Sequence, residues 1–487
     1  MSIRFVNIDR DTPMLFPVDM RDWLPGNHLV HFIVDAVEKL NVENFKINYT
    51  GSGDEQYPPE MMLALIIYCY ATGTFSSRRI EIATYTDIAA RYICGGTAHP
   101  DHTVLCRFRV NNKEAFAESF TKVLVLAQEM GHLKKVGGIS VDGTKIHANA
   151  SKHSAVSYKK AVEMIGEIEK EVAELITKAE QADSTPLEDG LTIPEEIALR
   201  EKRKAKLEQA KAAMEARYAE AQKAKEELKR AEKERKTGQS DDKSPEKTEQ
   251  TGGSPADTVR PPAVNLNKPL DEYQYNFTDP ESRIMKAGNG KHFEQLYNAQ
   301  VAVDTETMLA VGNYVTNHGN DKLELSEIVG KANTESYQVE TVSADTGFFS
   351  EEAIKAVEQK DEAGKLQGPE VYCAVEKHRT SGSRHHRTVQ DLEKHEEPEP
   401  PPADASIKEQ MGHKLKTAKG KAIYKKRKET VEPVFGIIKS AMGFRQFLLR
   451  GLEKVNTEWN LVTLAYDFKR LFNISRRKGV SFTANAE

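Results

Sequence analysis

Three acidic residues occupy positions where a carboxylate could either take part in a reaction or simply face solvent. Asp142 follows a strand-like run at residues 139–141, and Asp345 follows a similar run at residues 339–342. Glu432 lies in KKRKETVEPVFGIIK, the most basic part of the chain. Since β-branched runs favour strands, Asp142 and Asp345 are both expected at or near strand ends. If the three carboxylates converge, they form an oxygen-rich site for a hard divalent cation, Mg²⁺ or Mn²⁺.

Each of these residues also has a simpler explanation. Asp142 and Gly143 form a pair that is common in hairpin turns, and the local sequence alone favours that interpretation. Glu432 is either an ion-pair partner for the surrounding Lys and Arg or one ligand of a cation that acts on a polyanion. Asp304 and Asp321 are rival metal ligands, because the first ends a predicted strand and the second opens a predicted helix. A turn and a helix N-cap explain these two residues.

A cation site of this kind suits phosphoryl transfer. Two divalent ions about 3.5–4 Å apart can activate a water or a 3′-hydroxyl and stabilise the leaving oxygen. The whole chain carries a formal net charge of −5, which gives no general sign of a polyanionic partner. Residues 411–450, however, contain eleven Lys or Arg against two Glu. Such a block is either a solvated face or a surface that neutralises phosphates.

Residues 1–135 are predicted to form a helical N-terminal domain that binds DNA. Apolar residues recur at spacings of three and four in LVHFIVDAVEKL, and PPEMMLALIIYCYAT is apolar on every face, which predicts a fully buried helix. Two or three further helices follow, separated by Gly95 and Gly96. Four arginines near the starts or exposed faces of these helices indicate either a helix-turn-helix-like DNA reader or ordinary surface charge: Arg78, Arg79, Arg107 and Arg109.

The catalytic domain is predicted to be interrupted after its first strand. That strand lies within residues 136–154, and residues 155–236 then show the apolar spacing of two long helices, which predicts an antiparallel helical hairpin. The hairpin is either an intramolecular coiled coil or a dimer arm. A capping box from Thr192 to Glu195 is expected to open its second helix. Residues 237–267 are rich in Ser, Gly, Pro and charge and are predicted to be a disordered linker.

The catalytic domain is predicted to continue over residues 268–375 and to close with helices in residues 411–475. The β-type runs and helix signals in the first of these segments predict strands at 296–304, 308–316, 337–346 and 369–375, and helices at 321–332 and from Ser350. The closing helices are predicted at 423–440 and 452–472, with Trp459 in the core.

Two segments are predicted to lie outside the ordered catalytic elements. Residues 376–410 are interpreted as a loop or linker, in which His385 and His386 are expected to face solvent rather than bind a metal. Residues 476–487 are interpreted as a tail.

The cysteines and apolar runs bear on the compartment of the protein. Four cysteines lie far apart without a CxxC pair, so the sequence indicates neither a disulfide framework nor a thiolate zinc site. The first residues lack the apolar core of a signal peptide, and the most apolar run, residues 61–70, is too short to span a bilayer. We therefore expect a soluble cytoplasmic protein without a membrane partner.

Three stretches of the sequence resemble the DDE transposases of bacterial insertion sequences. VDGTKIHANAS resembles the first acidic motif of that family, VSADTGFFSEEAI the second, and YKKRKETVEPVFGIIKSAMGFRQFLLRG the third. Tyr424, Arg427, Glu432 and Lys439 match the order of the third motif, and the seven-residue step from Glu432 to Lys439 is two helical turns. The step from Arg427 to Glu432 is one residue longer than usual, whereas Lys428 has the usual step. Either residue could therefore take the role of the arginine.

The resemblance implies an α/β fold in which a ribonuclease-H-like mixed sheet with flanking helices is interrupted by the helical hairpin and preceded by the helical domain. It implies that Asp142, Asp345 and Glu432 are catalytic and bind Mg²⁺ or Mn²⁺, as two ions. It also implies a protein that cuts the terminal repeats of its element and joins them to target DNA, as a homo-oligomer on DNA. The DNA contacts expected in the basic block are Tyr424, Arg427, Lys428, Lys439 and Arg445.

Two other functions are compatible with these residues. A metal-dependent nuclease of the same fold would use the same carboxylates without transposing. A DNA-binding protein derived from a transposase would keep the basic surface while its carboxylates were inert.

Overall fold

The computed structural model describes nine segments of the chain: residues 19–40, 43–46, 56–181, 193–237, 269–287, 292–361, 365–375, 399–402 and 405–479. Several predictions fall on other residues. The linker predicted at 237–267 lies outside the described residues apart from Thr237, as do Thr192 of the predicted capping box, His385 and His386.

The N-terminal described region is helical, as predicted. The apolar second helix is buried along its length from Met62 to Ala71. Four helices follow it instead of the two or three expected, because Asp87 and Asn112 each end one helix and begin another. The Asp87 side chain accepts hydrogen bonds from the backbone N–H groups of Ala89 and Ala90. The helices are α1 (Leu29–Lys39), α2 (Pro59–Ala71), α3 (Ser77–Thr86), α4 (Ile88–Ile93), α5 (His102–Asn111) and α6 (Lys113–Glu129).

A mixed sheet of six strands forms the centre of the described chain. Its strands are β1 (Val136–His147), β4 (Arg283–Ala287), β5 (His292–Asp304), β6 (Ala310–Thr316), β7 (Gln338–Ala344) and β8 (Glu370–Cys373). The order is β4, β5, β1, β7, β8, with β6 also paired to β5. The pairs β1–β7 and β7–β8 are parallel, whereas the pairs of β5 with β1, β4 and β6 are antiparallel. The predicted strands are therefore confirmed.

The prediction that Asp142 ends a strand, and the alternative that it forms a hairpin turn with Gly143, are both wrong. β1 continues to His147, because antiparallel pairing with β5 runs from Ile139 to that residue. The parallel ladder between β1 and β7 stops earlier, at Ser140. Asp142 thus lies where β1 extends past β7, and the prediction failed because a long partner strand prolongs β1.

The predicted helical hairpin is present. Short strands β2 (Ala155–Ser157) and β3 (Gln274–Asn276) pair at its base, and the long helices are α7 (Tyr158–Gln181) and α8 (Ile193–Thr237). Arg200 pairs with Glu171 at 2.7 Å, and Lys204 pairs with Glu169 at 2.9 Å. Later residues of α8 therefore face earlier residues of α7, so the helices are antiparallel.

Helices cover the sheet at several places. They are α9 (Leu325–Ala332), α10 (Glu351–Glu358), α11 (Ile407–Lys416), α12 (Ala418–Gly436) and α13 (Leu452–Arg477). α12 begins five residues before the predicted position and ends in a π-helical turn, Ile437–Ala441. Trp459 of α13 is fully buried and donates to the backbone oxygen of Gln300 at 3.0 Å, so the core assignment is confirmed. Among the described helices, none is long and apolar enough to cross a bilayer.

Candidate active site

The three predicted carboxylates surround one buried guanidinium. Nη2 of Arg427 lies 3.3 Å from Oδ2 of Asp142 and 3.9 Å from Oδ2 of Asp345, and Nη1 lies 3.6 Å from Oε1 of Glu432. The Arg427 side chain is 7% exposed, whereas that of Glu432 is 53% exposed. Residues from β1, the end of β7 and α12 are thus brought together around a cation supplied by the chain itself.

The elements explain how these side chains meet. Asp345 directly follows β7, as predicted, and its carboxylate accepts from the backbone N–H of Gly347 at 2.8 Å, which turns the chain into a 3₁₀ helix. α12 packs across β1, β5, β7 and β8. Arg427 belongs to the buried side of that helix together with Val431 and Val434. The guanidinium is therefore held against the edge where β1 extends past β7.

Burial dominates the electrostatics of Asp142. Desolvation raises the pKa of its carboxyl to about 7, Arg427 acts in the opposite direction, and the negative charges of Asp345 and Asp321 raise the pKa further. The backbone N–H of Gly143 donates to Oδ1 of Asp142 at 2.9 Å and favours the charged form. A further cation close to Asp142 would favour the ionised form of its carboxyl.

The donor set fits a hard divalent cation in its chemistry. All three side chains are carboxylates, the type of ligand that Mg²⁺ and Mn²⁺ prefer. In the described part of the chain, however, no three His, Cys, Asp or Glu side chains are arranged to hold a metal ion. Nε of Arg427 is buried without a hydrogen-bond partner among the described residues.

The other predicted residues of the basic block differ in their surroundings. Lys439 is half-buried and donates to Oγ1 of Thr144 at 2.5 Å and to the backbone oxygen of Lys145 at 2.9 Å. Burial lowers its pKa, and the charge of Arg445 acts in the same direction. Arg445 is exposed and donates to the backbone oxygen of Lys439 at 3.0 Å. These contacts place two basic residues beside the strand that carries Asp142.

Tyr424 and Lys428 lie on the same helix as Arg427. Tyr424 is half-buried, and desolvation raises its pKa while the charge of Arg427 lowers it. Lys428 is exposed. Arg427, not Lys428, is therefore the residue that contacts the carboxylates, which settles the geometry that the sequence left open.

The N-terminal arginines separate into two kinds. Arg78, Arg79 and Arg107 are exposed on α3 and α5. Arg109 is only 4% exposed, and its Nη1 donates to the hydroxyl of Tyr70 at 2.9 Å and to the backbone oxygen of Phe75 at 3.1 Å. The expectation that Arg109 contacts DNA therefore does not fit this structure, since its guanidinium ties α5 to the end of α2.

Asp321 is a residue whose surroundings the sequence did not reveal. The predicted helix begins at Leu325, with Glu324 as the preceding residue, so the N-cap explanation of Asp321 is wrong. Its Oδ1 accepts from the side-chain amides of Asn298 and Gln300, both at 2.7 Å. β5 carries other polar residues as well, so Asn298 and Gln300 gave no distinct signal in the sequence.

Two glycines separate Asp321 from the carboxylates of the site. A Cβ added to Gly143 would lie 2.6 Å from Oδ1 of Asp321, and one added to Gly347 would lie 3.6 Å from Oδ2 of Asp321 and 2.9 Å from Oδ1 of Asp345. Asp304, the other alternative metal ligand, instead accepts from the hydroxyl of Thr307 in the turn after β5, as the turn explanation expected. It also accepts from the hydroxyl of Tyr337, which precedes β7. Asp321 is thus the carboxylate beside the site, although it does not contact Arg427.

Comparisons with known proteins match two regions of the chain. Residues 18–111 match a family described as a transposase domain (DUF772), and residues 393–472 match a family described as a transposase DDE domain. The second region contains Arg427 and Glu432, whereas Asp142 and Asp345 lie outside both. No curated protein and no solved structure matches the chain.

Proposed function

Because the chain is a transposase with an N-terminal transposase domain of the DUF772 family and a transposase DDE domain, we propose that it cuts DNA at the ends of its own element and joins the freed ends to target DNA. The observation that carries the proposal is the convergence of Asp142, Asp345 and Glu432 on Arg427 from three separate elements. Carboxylates so gathered within a basic helix suit phosphoryl transfer on a polyanion.

Asp142, Asp345 and Glu432 are the residues that would hold Mg²⁺ or Mn²⁺, as two ions. When bound, such ions activate a water or a 3′-hydroxyl and stabilise the leaving oxygen. Asp142 is best placed to be a shared ligand, because it lies closest to Arg427 and is the least exposed of the three carboxylates. Glu432 is the most exposed, so it completes the site from the solvent side.

The basic residues have separate roles in this proposal. Arg427 balances the negative charge of the carboxylates while they are ionised. Tyr424 and Lys439 contact the phosphates beside the scissile bond. Lys428 and Arg445 are exposed and contact the backbone further away. Among the exposed N-terminal arginines, Arg78, Arg79 and Arg107 contribute to binding the terminal repeat.

The proposed partners are the terminal repeats, target DNA and further copies of the chain, and the proposed compartment is the cytoplasm, where that DNA lies. The α7–α8 hairpin is the candidate dimer arm. Since β2 and β3 pair at its base, residues 159–272 can be replaced by a short linker that joins the strands. We expect the shortened protein to sediment as a monomer. If its oligomeric state is unchanged, the hairpin is not the dimer arm.

The test is cleavage of DNA carrying the element's end in Mg²⁺ or Mn²⁺, with Asp142→Asn, Asp345→Asn and Glu432→Gln beside the wild type. Glu429→Gln is the matched control, because Glu429 lies on the same helix and is 63% exposed. We expect each of the three substitutions to abolish cutting while DNA binding survives, and the control to cut normally. A wild type that binds without cutting would favour an inert DNA-binding protein.

Strand transfer separates the proposal from a nuclease of the same fold. A pre-cleaved end with a free 3′-hydroxyl, supplied with a circular target, should become covalently joined to the target. Cleavage without joining would identify a nuclease.

A further inference from the structure

Three buried hydroxyl groups connect the three elements that carry the carboxylates. Oγ of Ser140 on β1 lies 2.9 Å from Oγ of Ser343 on β7, and Oγ1 of Thr430 on α12 lies 2.8 Å from Oγ of Ser140. Ser140 and Ser343 are fully buried, and Thr430 is 3% exposed. Each hydroxyl belongs to the residue two positions before Asp142, Asp345 or Glu432. One linked set of hydroxyls therefore lies directly beneath the site.

The hydrogen atoms of this set can all be placed. Each hydroxyl has one hydrogen to donate and can accept others. Oγ of Ser343 also lies 3.3 Å from the backbone oxygen of Ile139. Oγ1 of Thr430 also lies 2.9 Å from the backbone oxygen of Lys426. The chain can therefore run from Thr430 through Ser140 and Ser343 to Ile139, or from Ser343 through Ser140 and Thr430 to Lys426, and each direction uses every hydrogen once. The polar groups are then satisfied without solvent, as buried groups require.

The hydrogen bond between Ser140 and Ser343 lies at the end of the ladder that joins β1 and β7. Ser140 and Ser343 are the last paired residues of the parallel ladder between β1 and β7. Past them, neither Asp142 nor Asp345 is held by pairing between these two strands. Ser140 and Asp142 point to the same face of β1, because residues two apart on a strand do so. Asp345 follows Ser343 by the same two-residue step, and its own backbone is still extended. The hydrogen bond between the two hydroxyls sets the relative height of Asp142 and Asp345.

The link to the helix positions the guanidinium. Thr430 follows Arg427 by three residues, so both side chains lie on one face of α12. Bonding Thr430 to Ser140 therefore seats this face on β1 and brings Arg427 to within 3.3 Å of Asp142. The same contact limits how far Glu432 can move relative to the strands.

We propose that Ser140, Ser343 and Thr430 are positioning residues that set the spacing of Asp142, Asp345 and Glu432 for divalent cations. This inference rests on the proposed function, because it concerns the same cations. Groups behind metal ligands act in this way by orienting them, and their loss weakens metal binding without removing a ligand. The simpler role, stabilisation of the core by three buried hydrogen bonds, would leave metal binding unchanged.

The test measures Mn²⁺ binding to the full chain without DNA, by calorimetric titration, together with the Mn²⁺ concentration that gives half-maximal cleavage. Ser140→Ala, Ser343→Ala and Thr430→Val each remove a hydroxyl, and we expect each to weaken Mn²⁺ binding about tenfold or more. Thr430→Ser keeps the hydroxyl and should bind as the wild type does. Ser343→Cys replaces the hydroxyl with a slightly larger thiol that is only a weak hydrogen-bond donor, and it serves if Ser343→Ala does not fold.

Ser119→Ala is the control for lost stability. Ser119 is 3% exposed and donates within α6 to the backbone oxygen of Ala115 at 2.8 Å, so the change also removes one buried hydrogen bond. It should lower the melting temperature and leave Mn²⁺ binding unchanged. Hydroxyl variants that bind Mn²⁺ as tightly as the wild type overturn this inference alone. A wild type that binds no Mn²⁺ overturns the proposed function and this inference with it.

Discussion

The guanidinium of Arg427 lies 3.3 Å from the carboxylate of Asp142, although 284 intervening residues separate them in the sequence. The same guanidinium also faces Asp345 and Glu432. One buried positive charge therefore lies among three carboxylates, whose negative charges would otherwise repel one another.

We expect Arg427→Gln to reduce DNA cleavage on the order of a hundredfold, because a donor aimed at the reacting region is lost. Mn²⁺ binding without DNA should persist or become tighter, since the change removes a competing positive charge. Calorimetric titration and cleavage rates measure the two effects. Lys428→Gln is the matched comparison, because it removes one charge from the same helix; it should weaken DNA binding, but its cleavage rate at saturating DNA should stay close to that of the wild type. Equal losses in both variants would contradict the role assigned to Arg427.

DNA binding should weaken steeply with salt if the basic block neutralises phosphates. Each of Lys428→Ala and Arg445→Ala should weaken binding to all sequences alike and reduce the slope of log affinity against log salt by about 1. Fluorescence anisotropy over a series of salt concentrations measures the slope. Lys225→Ala, an exposed lysine on α8, is the control. Binding that hardly changes with salt would reject the assignment of this surface.

Substitutions of two arginines on α5 should differ in their effects on the free energy of unfolding and on DNA binding. Arg109→Ala leaves the Tyr70 hydroxyl and the Phe75 backbone oxygen without their donor, so we expect a loss of about 2–4 kcal/mol in the free energy of unfolding. Arg107→Ala is exposed and should change that free energy by less than about 0.5 kcal/mol while weakening DNA binding. Urea denaturation measures the first quantity and anisotropy the second. A marginal effect of Arg109→Ala on unfolding would contradict its structural role.

Buried Glu458 should make stability depend on pH. Desolvation raises its pKa to about 7, while the backbone N–H groups of Leu449 and Leu448 and the charge of Arg109 lower it. The folded state thus binds more protons than the unfolded state between about pH 4.5 and 7, so this residue's contribution to stability falls as pH rises through that range. Above pH 7, we expect the free energy of unfolding of Glu458→Gln to be higher than that of the wild type by on the order of 2 kcal/mol. At low pH this difference should disappear.

Melting temperature as a function of pH checks this expectation. Glu453→Gln, an exposed change on the same helix, should follow the wild-type curve apart from a small offset. A Glu458→Gln curve parallel to that of the wild type would show that the carboxyl is not the titrating group.

Much of the secondary structure was determined by the sequence alone, because its signals are local. The apolar period of α1, the wholly apolar α2, the long α7 and α8, and the β-branched runs of β5 to β8 each follow from residues close in the chain. The position of Asp345 after β7 follows for the same reason. The resemblance to DDE transposases also rested on local motifs, and the matched transposase domains agree with it.

What only the tertiary structure decided is where individual side chains go. β1 runs past Asp142 because β5 pairs with it, Arg427 rather than Lys428 reaches the carboxylates because it faces inward on α12, and Arg109 is buried because α2 lies beside α5. Asp321 lies near the site because it accepts hydrogen bonds from two side-chain amides of β5. Each outcome depends on contacts between residues distant in sequence, and such contacts leave no trace in local composition or spacing.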